Sequence, residues 1–253
     1  MLIADQVSYR LGDNVVVSET TLEVRTGEFV VVVGPNGAGK TTLLAMLAGE
    51  LDPTSGTITW GGNSLREIPL EERARRRAYL APTMPDGIAF TVRDLVAMGR
   101  HPWRSHGLAD AEVVEAAMQV AGVEHLADRV FGSLSTGEAQ LGQIARILAQ
   151  DTPLLLLDEP TAGMDVGHQD RTLRTLAQST RESRTVIAVV HDLNAATSLA
   201  DRMVIMSEGS AVAIGAPSDV LEGDLLSRVY AHPITVVDHP FRAGPLILLR
   251  DQN

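Results

Sequence analysis

Residues 34–42 read Gly34-Pro35-Asn36-Gly37-Ala38-Gly39-Lys40-Thr41-Thr42, which satisfies the spacing G-x4-G-K-S/T. Each residue type has a job in holding phosphate. Glycines let a backbone wrap closely around phosphate oxygens, so that several N–H groups and a helix N-terminus converge on one anion. The candidate nucleotide-binding residues are therefore Asn36, Gly37, Ala38, Gly39, Lys40, Thr41 and Thr42. Lys40 would reach the β- and γ-phosphates, and the Thr41 hydroxyl would ligate Mg²⁺.

A second group lies at Leu154-Leu155-Leu156-Leu157-Asp158-Glu159-Pro160. Four leucines in a row make a strand buried on both faces, and open α/β sheets bind ligands at the C-terminal ends of such strands. Asp158 is suited to hold Mg²⁺ through its water shell, opposite Thr41. Glu159 points differently because strand side chains alternate, and it is the candidate base that polarises an attacking water. A third apolar run, Val186–Val190, ends in His191-Asp192. A lone histidine is more often structural than functional. At this edge of the sheet, however, His191 could reach the γ-phosphate region and bond the phosphate or orient the water.

The elements that must position these groups follow from the pattern of the chain. Short β segments are expected at Met1–Tyr9, Asn14–Val17, Thr21–Val24 and Phe29–Val33, the last leading into the glycine loop. A helix is expected over Thr42–Ala48 with Gly49 as its C-cap, then a turn at 52–56 and a strand at Thr57–Trp60. Segment 69–77 reads as a charged helix, with Arg73–Arg77 a solvated face paired with Glu71 and Glu72. From Thr91 to Ala149 the pattern is helical, with Asp110 and Ser135 as N-cap candidates. Strands return at Leu154–Leu157, Val186–Val190 and Met203–Met206. A β-rich start, an inserted helical block and a return to α/β imply one discontinuous core with subdomains. Neither an internal repeat nor a low-complexity linker interrupts it.

Composition bounds the setting. The chain has 253 residues, no cysteine and a net charge of −11. The length allows a sizeable core in one large or two small units. The lack of cysteine excludes disulfides and thiolate metal sites and suits a reducing compartment. The acidic balance argues against nucleic acid as a partner, since phosphate neutralisation needs a basic face. No apolar stretch approaches the roughly 20 residues that span a bilayer, and the N-terminus does not read as a signal peptide. Any work at a membrane would need another subunit to hold the chain there.

The order of motifs carries a family resemblance. GPNGAGKTT, then Leu134-Ser135-Thr136-Gly137-Glu138, then LLLLDEP, then His191 resembles the nucleotide-binding subunit of an ATP-binding cassette (ABC) transporter along the full chain. The resemblance implies an α/β P-loop NTPase of the ABC ATPase fold: a RecA-like core, an N-terminal antiparallel β subdomain and an inserted α-helical subdomain. It implies a single ABC domain over 1–253, with core and β subdomain near 1–83 and 151–253 and the helical subdomain near 84–150. It also implies that Ser135, Thr136, Gly137 and Glu138 cap the γ-phosphate bound by a second cassette, and that Asp165, in Thr161-Ala162-Gly163-Met164-Asp165, crosses that interface. ATP and Mg²⁺ are the expected cofactors. The expected partners are a second ATPase subunit (a homodimer before a heterodimer), an integral membrane permease and, indirectly, a substrate-binding protein. The expected place is the cytoplasmic face of the cell membrane, peripherally bound. The segment Phe90–Pro102 and the ending Val229-Tyr230, Val236–Pro240 and Gly244–Leu248 are similar to importers of iron chelates and cobalamin, with haem ahead of siderophore.

Several positions depart from the family pattern. Pro82 stands where a glutamine usually contacts Mg²⁺ or the attacking water, leaving Thr83 as a shorter substitute. Thr136 replaces the first glycine of the signature, adding a Cβ where close approach is wanted. The following helix reads Ala139-Gln140-Leu141-Gly142 where Gln-Gln-Arg is usual, and Gly142 weakens it. Leu11 occupies the place of the adenine-stacking aromatic, and Tyr9, two residues earlier, is either that platform or an ordinary strand residue. These departures predict slow turnover or weak ATP-driven closure. They leave open a low-activity regulatory cassette as the alternative to a transport ATPase. A cassette of DNA repair or translation fits less well, since it would need coiled-coil insertions or tandem cassettes.

Overall fold

The structure is a computed structural model of the chain and describes residues 1–81, 89–103, 108–181, 184–241 and 244–251. Pro82 and Thr83 lie outside the described residues.

The chain opens with an antiparallel hairpin, β1 (Leu2–Leu11) and β2 (Asn14–Val24). The sequence pattern splits β2 at Ser18-Glu19-Thr20. The strand instead runs through, with Thr20 paired to Val7: Glu19 faces solvent, and the buried Thr20 satisfies its hydroxyl by donating to the Ser18 carbonyl at 3.0 Å. β3 (Phe29–Val33) is buried at every position and feeds the glycine loop. α1 (Lys40–Ala48) begins two residues earlier than expected, and Gly49, at φ 70°, closes it by donating to Ala45 and Met46 carbonyls. β4 (Ser55–Trp60) and β5 (Asn63–Ser64) complete a four-stranded antiparallel sheet in the order β2-β1-β4-β5.

α2 (Leu70–Arg76) is shorter than expected, since Arg77 already belongs to β6 (Arg77–Leu80). This divides the arginine cluster. Arg75 and Arg76 pair with Glu71 and Glu72 on the solvated face as expected. Arg77 is buried and pairs with Glu50 at 2.6 Å, while Arg73 donates to the Gly49 carbonyl at 2.8 Å. The helical stretch comprises α3 (Val92–Met98), α4 (Leu108–Ala121) and α5 (Thr136–Ala149), joined by 3-10 turns. Asp110 is not an N-cap. It lies in the first turn of α4 and pairs with Arg100 at 2.9 Å. Ser135 caps α5 as expected.

The strand–helix alternation resumes with β7 (Leu154–Asp158), α6 (Val166–Arg181), β8 (Thr185–Val189), α7 (Leu193–Thr197), β9 (Arg202–Ser207) and β10 (Ser210–Gly215). α8 (Pro217–Val220), α9 (Gly223–Tyr230) and the hairpin of β11 (Ile234–Asp238) with β12 (Pro245–Leu249) follow. The central sheet has the order β10-β9-β3-β8-β7-β6, parallel throughout except for β10. Its strands alternate between two cores. Phe29, Val31 and Val33 pack with the helical block and the C-terminal elements, whereas Val30 and Val32 pack with α1 and the antiparallel sheet. The same alternation sends Leu155 and Leu157 one way and Leu154 and Leu156 the other. Among the described residues, no helix is long and apolar enough to cross a membrane.

Candidate active site

The order of the central sheet brings the C-terminal ends of β3, β7 and β8 side by side, and the candidate residues leave from those ends. In the glycine loop two glycines are required by their surroundings. A Cβ on Gly34 would fall 2.2 Å from the Met206 carbonyl, and one on Gly39, at φ 91°, would fall 2.6 Å from the Val16 carbonyl. Gly37 is also left-handed, at φ 79°, but faces open space, as a residue lining a ligand cradle should. Asn36, Gly37 and Thr41 are exposed there, and Ala38 is buried beneath the loop. α1 has neither a capping side chain nor an acid in its first turn, so its leading N–H groups and its positive dipole end remain available to an anion. Thr42 sits half-buried one residue after Thr41 in that first turn. The buried Lys40 donates to the carbonyls of Gly34 and Pro35, both at 2.8 Å. Burial lowers its pKa, and the charges of Glu159 and Asp158 oppose that shift.

Asp158 is wholly buried at the end of β7, and neither carboxylate oxygen accepts a well-formed hydrogen bond among the described residues. Burial raises its pKa, partly offset by the nearby Thr41 hydroxyl and more weakly by Lys40. An orphaned buried carboxylate beside a hydroxyl is the donor set of a hydrated divalent cation that completes its shell with phosphate oxygens. The residues thus fit Mg²⁺ with ATP.

Glu159 adopts a left-handed backbone at φ 49°, a conformation that costs a non-glycine residue about 1–2 kcal/mol. Three hydrogen bonds hold it. Its N–H donates to Val189 at 3.1 Å, and its carbonyl accepts from Ala162 N–H and from the Gln140 amide, each at 3.1 Å. The turn throws the side chain toward His191, whose Nε2 lies 2.6 Å from Glu159 Oε1. The sequence pattern puts both residues at this edge; their direct contact follows only from the fold. In the sequence Gln140 is marked only as part of a weakened helix. Gln140 is buried in α5 and ties that helix to the carbonyl of Glu159. Gly142 is buried against Phe131, where a Cβ would meet the ring at 3.3 Å, so its helix penalty accompanies tight packing.

The start of α5 presents Ser135 and Thr136 to solvent. Ser135 and Glu138 form a reciprocal capping box: Glu138 Oε2 accepts from Ser135 N–H at 2.8 Å, and Ser135 Oγ accepts from Glu138 N–H at 3.4 Å. The bond from Ser135 N–H holds the Glu138 carboxyl below the usual range. The N–H groups of Thr136 and Gly137, in the opening turn, have no intrahelical acceptor and can receive an anion. Asp165, strongly exposed, accepts from His168 N–H at 2.9 Å and meets His168 Nδ1 at 2.8 Å, which lowers its pKa and secures the start of α6. Tyr9 packs against the hydrophobic cluster of the antiparallel sheet, while Leu11 is exposed near the hairpin turn.

This arrangement has close counterparts among known proteins. The family model of the ABC transporter matches residues 17–162. The hemin import ATP-binding protein HmuV of Nocardia farcinica is 48% identical over 92% of this chain and 82% of its own length. The ferric enterobactin transport ATP-binding protein FepC of Escherichia coli K12 is 37% identical over 98% of this chain and 93% of its own. Among solved structures, the dimeric ATP-binding cassette MJ0796 bound to ADP and Pi superimposes with a TM-score of 0.77, covering 85% of this chain and 98% of its own at 22% identity. The glycine loop, the acidic end of β7 and the capped start of α5 thus sit within a fold and a sequence shared with these proteins, and the chain belongs to the ABC transporter family as an ATPase cassette.

Proposed function

We propose that this chain is the ATP-hydrolysing subunit of an importer for an iron chelate, with haem ahead of siderophores as the cargo. The observation that carries the catalytic part is the convergence of Lys40, Asp158, Glu159 and His191 on one edge of the sheet, with Glu159 and His191 in contact at 2.6 Å. The names of the relatives support the cargo; an ATP site itself carries no record of it.

In this reading the glycine loop and Lys40 bind the phosphates. Thr41 and Asp158 hold Mg²⁺, whose charge offsets that developing on the γ-phosphate. Glu159 accepts a proton from the attacking water, and His191 fixes the carboxylate and that water in line. Ser135, Thr136 and Gly137 of a second copy cap the γ-phosphate, Glu138 fixes that cap, and Asp165 reaches across the interface. Two identical subunits are favoured over a mixed pair. The helical subdomain, near 84–150, docks an integral membrane permease, which holds the otherwise peripheral chain at the cytoplasmic face and receives cargo from a substrate-binding protein. The core and β subdomain span 1–83 and 151–253.

The test is MgATP hydrolysis by the purified chain, with and without a candidate iron-chelate permease, against Glu159→Gln. Turnover that Glu159→Gln abolishes supports the reading. Tight ATP binding with no turnover, even with the permease present, overturns it in favour of a regulatory cassette.

A further inference from the structure

The threonine in the signature and the glycine in the loop after Glu159 touch. Thr136 opens α5, and Gly163 lies in the turn between β7 and α6 at φ 72°. A Cβ on Gly163 would fall 2.6 Å from Thr136 Cγ2 and 3.1 Å from Thr136 Cβ. One residue on, a Cβ on Gly137 would fall 3.1 Å from the Gly163 carbonyl. The extra atoms of Thr136 therefore occupy the space that any side chain at position 163 would need.

We propose that Thr136 and Gly163 are a complementary pair, and that Gly163 is a positioning residue: its bare backbone lets the Glu159–Asp165 loop rest on a signature that carries threonine. Three contacts then join the two segments within one chain: Thr136 on Gly163, Gly137 on the Gly163 carbonyl, and Gln140 on the Glu159 carbonyl at 3.1 Å. Displacing the loop would move the backbone that carries both Glu159 and Asp165. The threonine is thus not an isolated erosion of the signature. Its bulk is matched by the bare backbone of Gly163.

The inference rests on the ATPase reading above, and its test is a double-mutant cycle with Gly163→Ala, Thr136→Gly and the pair. The readouts are kcat, KM for MgATP, fluorescent-ATP binding and Tm. Gly163→Ala should lower kcat about tenfold or more in the parent, with KM and ATP binding little changed. In the Thr136→Gly background the same change should cost at least about tenfold less, a coupling of the size expected for residues in contact. The strain of a left-handed alanine is common to both backgrounds and cancels in the cycle. Equal losses in both backgrounds, or a coupling visible in Tm but absent from kcat, would overturn the pairing. If Gly163→Ala does not fold, Gly163→Asn, whose side chain tolerates φ above zero, replaces it in the same cycle. A parent that binds ATP but never turns over defeats the ATPase reading instead. The pairing is then read from ATP-driven dimerisation, where additive effects of the two substitutions refute it.

Discussion

Glu159 and His191 leave adjacent strands and meet at 2.6 Å, although 32 residues separate them in the chain. The left-handed turn at Glu159 is what makes the meeting possible, because an extended residue after Asp158 would continue the line of β7. Residues that act as a unit lose activity non-additively. Glu159→Gln should lower single-turnover hydrolysis at least about 100-fold, the lower end for a general base, with ATP binding retained. His191→Ala should lower it by a comparable factor. The double variant should then be no slower than the slower single variant. Additive losses would mean that the two side chains act on separate steps.

Asp158 is expected to trade stability for function. Its pKa is raised by burial, so the folded chain keeps a proton that the unfolded chain has already released just above the usual Asp value of about 3.9. The folded state binds more protons in that window, and stability falls as pH rises through it. Asp158→Asn removes this ionisation. At pH 7 the variant should melt a few degrees higher than the parent in the absence of nucleotide, lose the pH slope above 4 that Asp158 contributes, and fail to hydrolyse MgATP. A lower Tm would show that the carboxylate has a stabilising partner in solution.

The parts of the site that were legible in the sequence are those whose chemistry is local. The glycine loop announces itself by spacing, β7 by four leucines, and the α5 cap by Ser135 and Glu138 three residues apart. Contacts between distant segments left no such mark. Gln140 reads as a helix residue until α5 is laid against β7, and Gly163 reads as an ordinary turn glycine until Thr136 is found where its side chain would go. Asp110 has the composition of a cap, but the ion pair with Arg100 accounts for it better. Arg77 looked like the last member of a solvated run because nothing in Arg75-Arg76-Arg77 marks where a helix stops and a buried strand starts.

That boundary has a measurable consequence. Arg77 is buried and its Nη2 meets Glu50 at 2.6 Å, whereas Arg76 pairs with Glu72 in solvent. Removing Arg77 leaves a cavity at the start of β6 and strands Glu50. Arg77→Ala should lower unfolding free energy by about 2 kcal/mol, below the range for a fully buried pair because Glu50 is about half exposed. Arg76→Ala should change it by no more than about 0.5 kcal/mol. Urea midpoints at an unchanged m-value would establish both. Equal effects would place Arg77 on the solvated face after all.

The C-terminal hairpin grips the segment that carries His191. Asn194, three residues after the histidine, donates to the Ile247 carbonyl at 3.0 Å and accepts from the Ile247 N–H at 2.8 Å, so one side chain extends the edge of β12. Asp192 fixes the same segment by accepting from the N–H groups of Asn194 and Ala195. From the preceding helix, Tyr230 lies beside the backbone of Gly34 in the phosphate loop, and burial pushes its pKa up to about 12. The end of the chain therefore touches two of the strand ends that build the site. Asn194→Ala leaves both polar groups of Ile247 unpaired, at a cost of about 1–3 kcal/mol. If the hairpin also sets the position of His191, kcat should fall several-fold while KM for MgATP stays constant, since the phosphate loop keeps its own contacts. Asn194→Asp preserves the acceptor for Ile247 N–H but sets a carboxylate against the Ile247 carbonyl, and should behave like Asn194→Ala. A lowered Tm with kcat intact would make the hairpin a purely structural brace. A loss of kcat at constant KM would make it part of the machinery that aims the histidine.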